Sequence, residues 1–343
     1  MKQVLADLTM EEMKAFAAEL GEKPFRGKQL FQWVSRGASS FDEMTDLSRA
    51  LRAKLAAFAV VRGVHVEAAQ EDPQDGTRKF LFGLDADGET VEGVFMKYRY
   101  GNTLCVSSQV GCRMGCAFCA SALGGFVRDL TAGEMLGQIL AAQEYTKERI
   151  GHMVLMGMGE PFDNYENVSR FLRILHEPEG LNMSWRNMTV STSGIVPVME
   201  RFAEDFPQVN LAVSLHRIDD EGRSRIMPVN RRWHVEELLE AARKYTKTTG
   251  RRITFEYALI RGENDRPRDI EQLEQALRGM LCHVNLIPLN RVEETGLSGS
   301  SRRHAEEIAD RLTAAGIPAT VRRKLGENID GACGQLRMRS REK

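Results

Sequence analysis

Three of the chain's six cysteines fall in one short run, Cys112-x3-Cys116-x2-Cys119, and no other feature restricts the fold and chemistry as strongly. Thiols this crowded are reactive unless something holds them. A disulfide framework belongs to small secreted chains. This one has 343 residues and no signal-peptide pattern at Met1-Lys2-Gln3-Val4, so the expected compartment is a reducing cytoplasm. Structural zinc needs four ligands in a closed tetrahedron, usually from two Cys-x2-4-Cys pairs, and neither a second pair nor a nearby His completes the set. Three thiolates leave one coordination position open. In an iron-sulfur cluster that means one iron free to bind something else, which a four-cysteine electron carrier lacks. Zinc and chance spacing remain the alternatives at this level.

Lys+Arg 47 against Asp+Glu 48, with 42% hydrophobic residues, excludes disorder and also the basic footprint that marks a nucleic-acid binder from composition alone. No stretch approaches the roughly 18 apolar residues that cross a bilayer, so no membrane partner is expected. Residues 1–62 read as a helical accessory domain. Thr9-x-x-Glu12 is a capping box, and Phe16, Leu20, Leu30, Phe31, Val34, Leu47, Leu51 and Leu55 fall at helix-compatible spacings. Lys23, Arg26, Lys28, Arg49, Arg52 and Lys54 offer RNA-backbone contacts there, against the plainer reading of a solvated helix face.

Residues 63–97 predict a β-hairpin extension, Lys79–Phe82 and Thr90–Phe95 turning through Asp87-Gly88. Glu92 shares a strand face with Val94 and Met96. Buried there it suits a proton acceptor, whereas on a sheet edge it would sit harmlessly in water. Residues 98–343 alternate strands and helices. The strands are expected at Leu104–Ser108, Met153–Met156, Met188–Thr192, Asn210–Leu215, Ile253–Ala258, Val284–Ile287 and Ala319–Arg322, with a second capping box at Thr131-x-x-Glu134. The fold class is therefore α/β, an incomplete (β/α)6 barrel whose function gathers at the C-terminal ends of its strands.

The motifs sit at those ends. Met156-Gly157-Met158-Gly159-Glu160-Pro161 follows the second strand, and Phe162 stands where a Rossmann motif would need its third glycine. Ser191-Thr192-Ser193-Gly194, Ser214-Leu215-His216 and Asn290 end later strands, where hydroxyls can cap a helix or meet a ligand. Cys333 lies between small residues in Gly331-Ala332-Cys333-Gly334, open enough for chemistry. Cys105 is on the strand feeding the cluster, and Cys282 begins a strand at the far end and reads as structural.

The Cys-x3-Cys-x2-Cys spacing, with Phe118 before its last cysteine, resembles the radical S-adenosylmethionine superfamily, as does the loop ending Gly159-Glu160-Pro161. Cys105 to Cys112, that loop, Ser-Thr-Ser-Gly, Ser-Leu-His, Asn-Leu-Ile-Pro and Ala-Cys-Gly-Gln-Leu together resemble the RlmN/Cfr family of RNA adenine methyltransferases over nearly the whole chain. The resemblance implies a [4Fe-4S] cluster on Cys112, Cys116 and Cys119. It implies S-adenosylmethionine, two molecules per turnover, on Gly159, Glu160, Ser191, Ser214, Leu215, His216 and Asn290.

Adenine C2 is electron-poor and cannot attack a sulfonium methyl, so a carbon radical must be delivered. By resemblance, Cys333 is methylated first, its methyl group then becomes a methylene radical that adds to the base, Cys105 releases the product by a disulfide with Cys333, and Glu92 takes the proton. The implied substrate is an adenosine of 23S rRNA, with a tRNA adenosine as a further one, and the implied electron donor is a flavodoxin or ferredoxin. Pro161 favours C2 over the C8 methylation of the resistance branch. Gly331 and Lys324-Leu325-Gly326-Glu327-Asn328 depart from the family pattern. Arg322, Arg323, Lys324, Arg337, Arg339, Arg341 and Lys343 make the tail basic and a further phosphate contact. A monomer is the expected state.

Overall fold

A computed structural model describes residues 2–290, 296–326 and 328–329. Cys333 lies outside these residues.

The N-terminal part holds α1 (Met10–Glu19), α2 (Pro24–Ser35) and α3 (Arg49–Phe58), closed by a short parallel pair, β1 (Gln3–Val4) with β2 (Ala59–Val60). The Thr9 capping box forms as expected, Glu12 Oε2 accepting from Thr9 N at 2.9 Å. Leu30, Phe31, Val34, Leu51 and Leu55 turn inward, into one continuous core shared with the rest of the chain. Leu20 and Leu47 are buried too, although they lie just outside the helices. Asp7 Oδ1 accepts from Gly133 N at 2.5 Å, which places a carboxylate on the N-terminus of α4 (Ala132–Thr146) and ties this part to the barrel. That helix starts at its own capping box, Thr131 with Glu134, and buries Met135, Leu136, Ile139 and Leu140.

The extension is three strands rather than a hairpin: β3 (Val64–Glu71), β4 (Arg78–Leu84) and β5 (Thr90–Tyr98). The alternation in β3 is weak, since beyond Val64 residues on both faces are exposed or half-buried and the register shifts between Val66 and Ala68, and the sequence pattern therefore missed it. β5 pairs antiparallel with β6 (Gly101–Cys105), so the extension continues directly into the barrel sheet. Glu92 consequently lies on an interior strand, and the edge-strand alternative is excluded.

After β6 comes a small ribbon, β7 (Gln109–Gly111) with β8 (Phe126–Asp129), that frames the cysteine loop. The parallel run continues through β9 (His152–Leu155), β10 (Met188–Thr192), β11 (Asn210–Ser214), β12 (Ile253–Leu259), β13 (Cys282–Pro288) and the short β14 (Ala319–Val321). Helices α5 (Tyr165–His176), α6 (Val196–Asp205), α7 (Asp220–Ile226), α8 (Val235–Thr249), α9 (Pro267–Leu277) and α10 (Arg302–Ala314) connect them. The sheet order is β14-β13-β12-β11-β10-β9-β6-β5-β4-β3. Each strand expected from the sequence forms within three residues of its predicted ends.

The parallel half curls. Arg322 Nη2 reaches Met156 Sδ at 3.9 Å, joining the ends of β14 and β9 across four intervening strands. A flat sheet would hold those ends about 24 Å apart at ordinary strand spacing. This is the incomplete barrel expected from the strand-helix alternation.

Candidate active site

The cysteine loop is shaped by glycines and backbone bonds. Gly111 has φ +74°, and a Cβ there would meet Gly125 O at 1.9 Å, so only glycine lets the two sides of the loop close. Cys112 N donates to Gly125 O, Cys119 N to Cys116 O, and Ala117 N to Ile226 O at the end of α7. The three thiols line one cavity at the C-terminal end of the barrel. Gly159, Glu160, Ser191, Ser214, His216 and Asn290 line the same cavity. Nine residues singled out from sequence are thus brought together. Leu215 is not on the cavity wall; its side chain is fully buried, and its backbone N–H and C=O bond to Glu256 O and to Arg223 Nε.

Burial, with the neighbouring Glu160 and Cys119, pushes the Cys112 thiol up to about 12, and Cys116 well above its ordinary value. Such thiols stay protonated until a metal supplies positive charge, so loading releases protons. No three His, Cys, Asp or Glu side chains among the described residues converge tightly enough to chelate a single ion. A cluster of four irons spans a wider triangle than one ion does, and the donor set, three cysteines around an open cavity, fits it.

Glu160 is buried and its carboxylate is built into the loop. Oε1 accepts from Phe162 N at 3.0 Å and Oε2 from Ser193 N at 2.7 Å, locking the Gly-Glu-Pro turn to the end of β10. Burial raises its pKa, and these amides oppose the rise. Two amides leave lone pairs on a carboxylate for a further cationic donor. Gly159 takes φ +100° against Gln109, whose Oε1 accepts from Glu160 N at 2.8 Å.

His216 is a non-glycine residue at φ +56°. Its Nδ1 accepts from Ala258 N at 2.8 Å, and Phe118 of the cysteine loop meets its ring edge-on, with centroids 4.8 Å apart. Burial and Arg223 hold the imidazole down at about 3, so it is neutral. It therefore presents a hydrogen-bonding, uncharged surface to the cavity.

Glu92 and Cys105 lie on the neighbouring strands. Cys105 is opposite Val94 in the β5–β6 register, two residues from Glu92 on the same strand face, and is almost fully buried. Glu92 is buried and pairs with Lys79 Nζ at 2.9 Å. Among the described residues every cysteine is a free thiol, so the expected Cys105–Cys333 bridge, which needs a residue outside them, is not part of the described structure. Cys282 is buried at the N-terminal end of β13, away from the cavity, as a structural residue should be.

Sequence reasoning missed three residues and read a fourth, Arg322, only as a phosphate contact of the basic tail. Glu256 is buried in β12 on the cavity wall, with Oε2 accepting from Asn285 Nδ2 at 2.8 Å and Arg322 Nη1 3.8 Å away. A lone carboxylate in Ile-Thr-Phe-Glu-Tyr-Ala-Leu was the available signal, since a central strand rarely buries one without purpose. Arg322 also lines the cavity. Arg223 is fully buried and donates to Ser193 O, Ser214 O, Leu215 O and Asn230 Oδ1, clamping the ends of β10 and β11. Asn264 holds His216 O and Ala258 O through Nδ2, at 2.6 and 2.7 Å. Neither Arg223 nor Asn264 had a signal, because both sit in polar runs that read as surface.

A partial barrel with three loop cysteines and a Gly-Glu-Pro turn on one cavity defines a radical S-adenosylmethionine enzyme, and the family model described as the radical SAM superfamily matches residues 106–273. A second model, the ribosomal RNA large subunit methyltransferase N-terminal domain, matches residues 4–61. A probable dual-specificity RNA methyltransferase RlmN of Alkaliphilus oremlandii is 50% identical over 97% of both chains. The protein of the same description in Symbiobacterium thermophilum is 50% identical over 100% of this chain and 93% of its own. The crystal structure of a radical SAM methyltransferase from Sphaerobacter thermophilus superposes with TM-score 0.94 at 46% identity, covering 98% of this chain and 99% of that one. The chain belongs to the RlmN family of RNA methyltransferases.

Proposed function

We propose that the enzyme methylates C2 of an adenosine in 23S rRNA, and an adenosine of tRNA as a second substrate, through an S-methyl group carried on Cys333. The observation that carries this reading is the placement of Glu92 on β5 and Cys105 on the adjoining β6, with Glu92 tied through Ser107 to the loop that bears the S-adenosylmethionine motif. Ser107 Oγ donates to Glu92 O at 2.6 Å and accepts from Met158 N at 2.8 Å, so the proposed proton acceptor and the Gly-Glu-Pro turn move as one body. When bound, the cluster on Cys112, Cys116 and Cys119 supplies the electron that opens S-adenosylmethionine.

The chain's own residues do the rest. Gly159, Glu160 and the ends of β10 and β11 hold the methionine and ribose parts. Neutral His216 and Asn290 offer hydrogen bonds without adding charge. Buried walls exclude water from a reactive carbon centre. Lys79 Nζ, 2.9 Å from Glu92 Oε1, sets a cation beside the proposed base in a buried setting. Cys105 stands ready as the thiol that resolves the enzyme–RNA link. The RlmN relatives' description as dual-specificity RNA methyltransferases supports two RNA substrates.

The test is nucleoside mass spectrometry of 23S rRNA and tRNA from cells lacking the activity, after anaerobic incubation with reconstituted enzyme, S-adenosylmethionine and reductant. New 2-methyladenosine in both RNAs is expected. 8-Methyladenosine would overturn the C2 assignment, and 5′-deoxyadenosine with no methylated base would overturn the substrate.

A further inference from the structure

The turn between β3 and β4 is far from the cavity in sequence and has no part in binding S-adenosylmethionine, yet it grips the chain just before Cys333. Asp72 is buried. Its Oδ1 accepts from Gln74 N at 2.9 Å, closing the turn, and both its oxygens accept from Asn328 Nδ2 at 3.1 Å. Asn328 N donates to Asp72 Oδ2 at 3.2 Å, and Gly326 N to Asp75 Oδ2 at 3.0 Å. Gly326 adopts φ +64°, and a Cβ there would sit 3.0 Å from Thr77 Cγ2 and 3.2 Å from Ile329 Cγ1. Leu325 and Ile329 are buried on either side. The hydrogen bonds to Asp72 and Asp75 hold both carboxyls below their ordinary values.

A surface turn needs none of this to reverse a chain. Two carboxylates, an amide side chain and a left-handed glycine from segments about 250 residues apart converge on one contact. Cys333 follows Ile329 by four residues and so lies within about 14 Å of it by covalent reach. We propose that the β3–β4 turn is a positioning device for the methyl-carrying segment: Asp72 and Asp75, through Gly326 and Asn328, fix the point from which the Cys333 segment departs. Asp72 and Asn328 are positioning residues, acting on the reaction only through where that segment starts. The inference rests on the reading of Cys333 as methyl carrier. It also assigns a purpose to the β-extension and to the Lys324-Leu325-Gly326-Glu327-Asn328 run, where the sequence departs from the pattern it otherwise resembles.

The experiment uses the full-length reconstituted enzyme, Asn328→Asp, and the double variant Asp72→Asn with Asn328→Asp. The single change sets a carboxylate against Asp72 and Asp75 and breaks the grip from the loop side without touching the turn. The double change restores a reversed amide–carboxylate pair. The readout is the ratio of 5′-deoxyadenosine formed to methylated adenine formed, which a merely destabilised enzyme would not move because both products fall together. Asn328→Asp is expected to raise the ratio at least about tenfold, because losing the charge-assisted hydrogen bonds to Asp72 frees the start of the Cys333 segment and misplaces its methyl group, and the double variant to return most of the way. An unchanged ratio in Asn328→Asp, or a double variant no better than the single one, overturns the inference. Failure of the underlying reading looks different: wild-type enzyme would form 5′-deoxyadenosine with no methylated adenine and no S-methyl group on Cys333 by peptide mass spectrometry.

Discussion

Asn264→Ala is expected to damage S-adenosylmethionine binding although Asn264 lies behind the cavity wall. The side chain is fully buried and makes three bonds: Nδ2 to His216 O at 2.6 Å and Ala258 O at 2.7 Å, and Oδ1 from Ile260 N at 2.8 Å. Each contributes about 1 kcal/mol net, and the Ile260 N–H, stripped of its acceptor in a buried place, adds roughly 1–2 more, so the loss of stability is about 4–5 kcal/mol. That is survivable for a chain whose whole stability is about 5–15 kcal/mol. The functional effect comes through His216. Its φ of +56° is strained for a residue with a side chain, by about 1–3 kcal/mol, and persists because Asn264 and Ala258 hold it. Without the clamp the backbone relaxes and the imidazole swings out of the cavity, so affinity should fall at least about tenfold, the equivalent of 1.4 kcal/mol. Urea unfolding measures the first quantity, and equilibrium dialysis of S-adenosylmethionine on anaerobic reconstituted enzyme the second. Asn264→Asp keeps the volume but turns an oxygen toward two carbonyls, and should be no better. A stability loss under about 1 kcal/mol, or a full loss with unchanged affinity, would refute the reasoning.

Further outcomes follow from the same geometry. His216 is held near 3 in the folded chain against 6.5 ordinarily, so unfolding takes up a proton between those values and stability falls as pH drops below 6.5. The slope is about 1.4 kcal/mol per pH unit, and His216→Asn, which keeps an acceptor for Ala258 N, should lose it in urea titrations between about pH 6.5 and 5; parallel curves would count against a buried neutral imidazole. Gly159→Ala puts a Cβ 2.7 Å from Gln109 N at φ +100°, and should destabilise the loop by more than about 2 kcal/mol and abolish S-adenosylmethionine binding; a variant that binds normally would show that the turn is soft. Cys116→Ala should lose the roughly four irons and four sulfides expected of reconstituted wild type, measured by iron and sulfide analysis, and retention of a full cluster would remove Cys116 from the ligand set.

The cysteine loop, the Gly-Glu-Pro turn and the strand-end hydroxyls were legible because each is a local pattern whose chemistry is written in adjacent residues. Strand positions were legible for a similar reason: in β10 to β13 both faces are covered, and β-branched runs mark such strands plainly. The extra strand β3 was not, since beyond Val64 neither of its faces is buried and a register shift interrupts its alternation. Arg223, Asn264 and Asp72 were hidden for another reason. Each sits in a polar segment that looks like surface, and is met in the fold by a partner 30 or more residues away, Ser193 O for Arg223, His216 O for Asn264 and Asn328 N for Asp72. Periodicity carries no information about such closures.

The extension and the barrel form one sheet, which determines how the two halves of the chemistry can be aligned. Glu92 and Cys105 come from antiparallel β5 and β6, while the cavity is made by parallel strands beginning at β9, and β6 is the strand common to both pairings. A register slip of one residue at β5–β6 would turn Glu92 and its neighbours to the opposite face. Two contacts pin that register, Gly93, where a Cβ would meet Cys105 O at 2.9 Å, and Ser107 bridging Glu92 to Met158, while the Lys79–Glu92 pair ties β5 to β4 on its other side. Gly157 presses on the same Ser107, at 2.7 Å from its Oγ for an added Cβ. The glycines of the loop therefore let it sit close enough to Ser107 and Gln109 to be held in register with the proposed base, and they leave its backbone open to the proposed ligand.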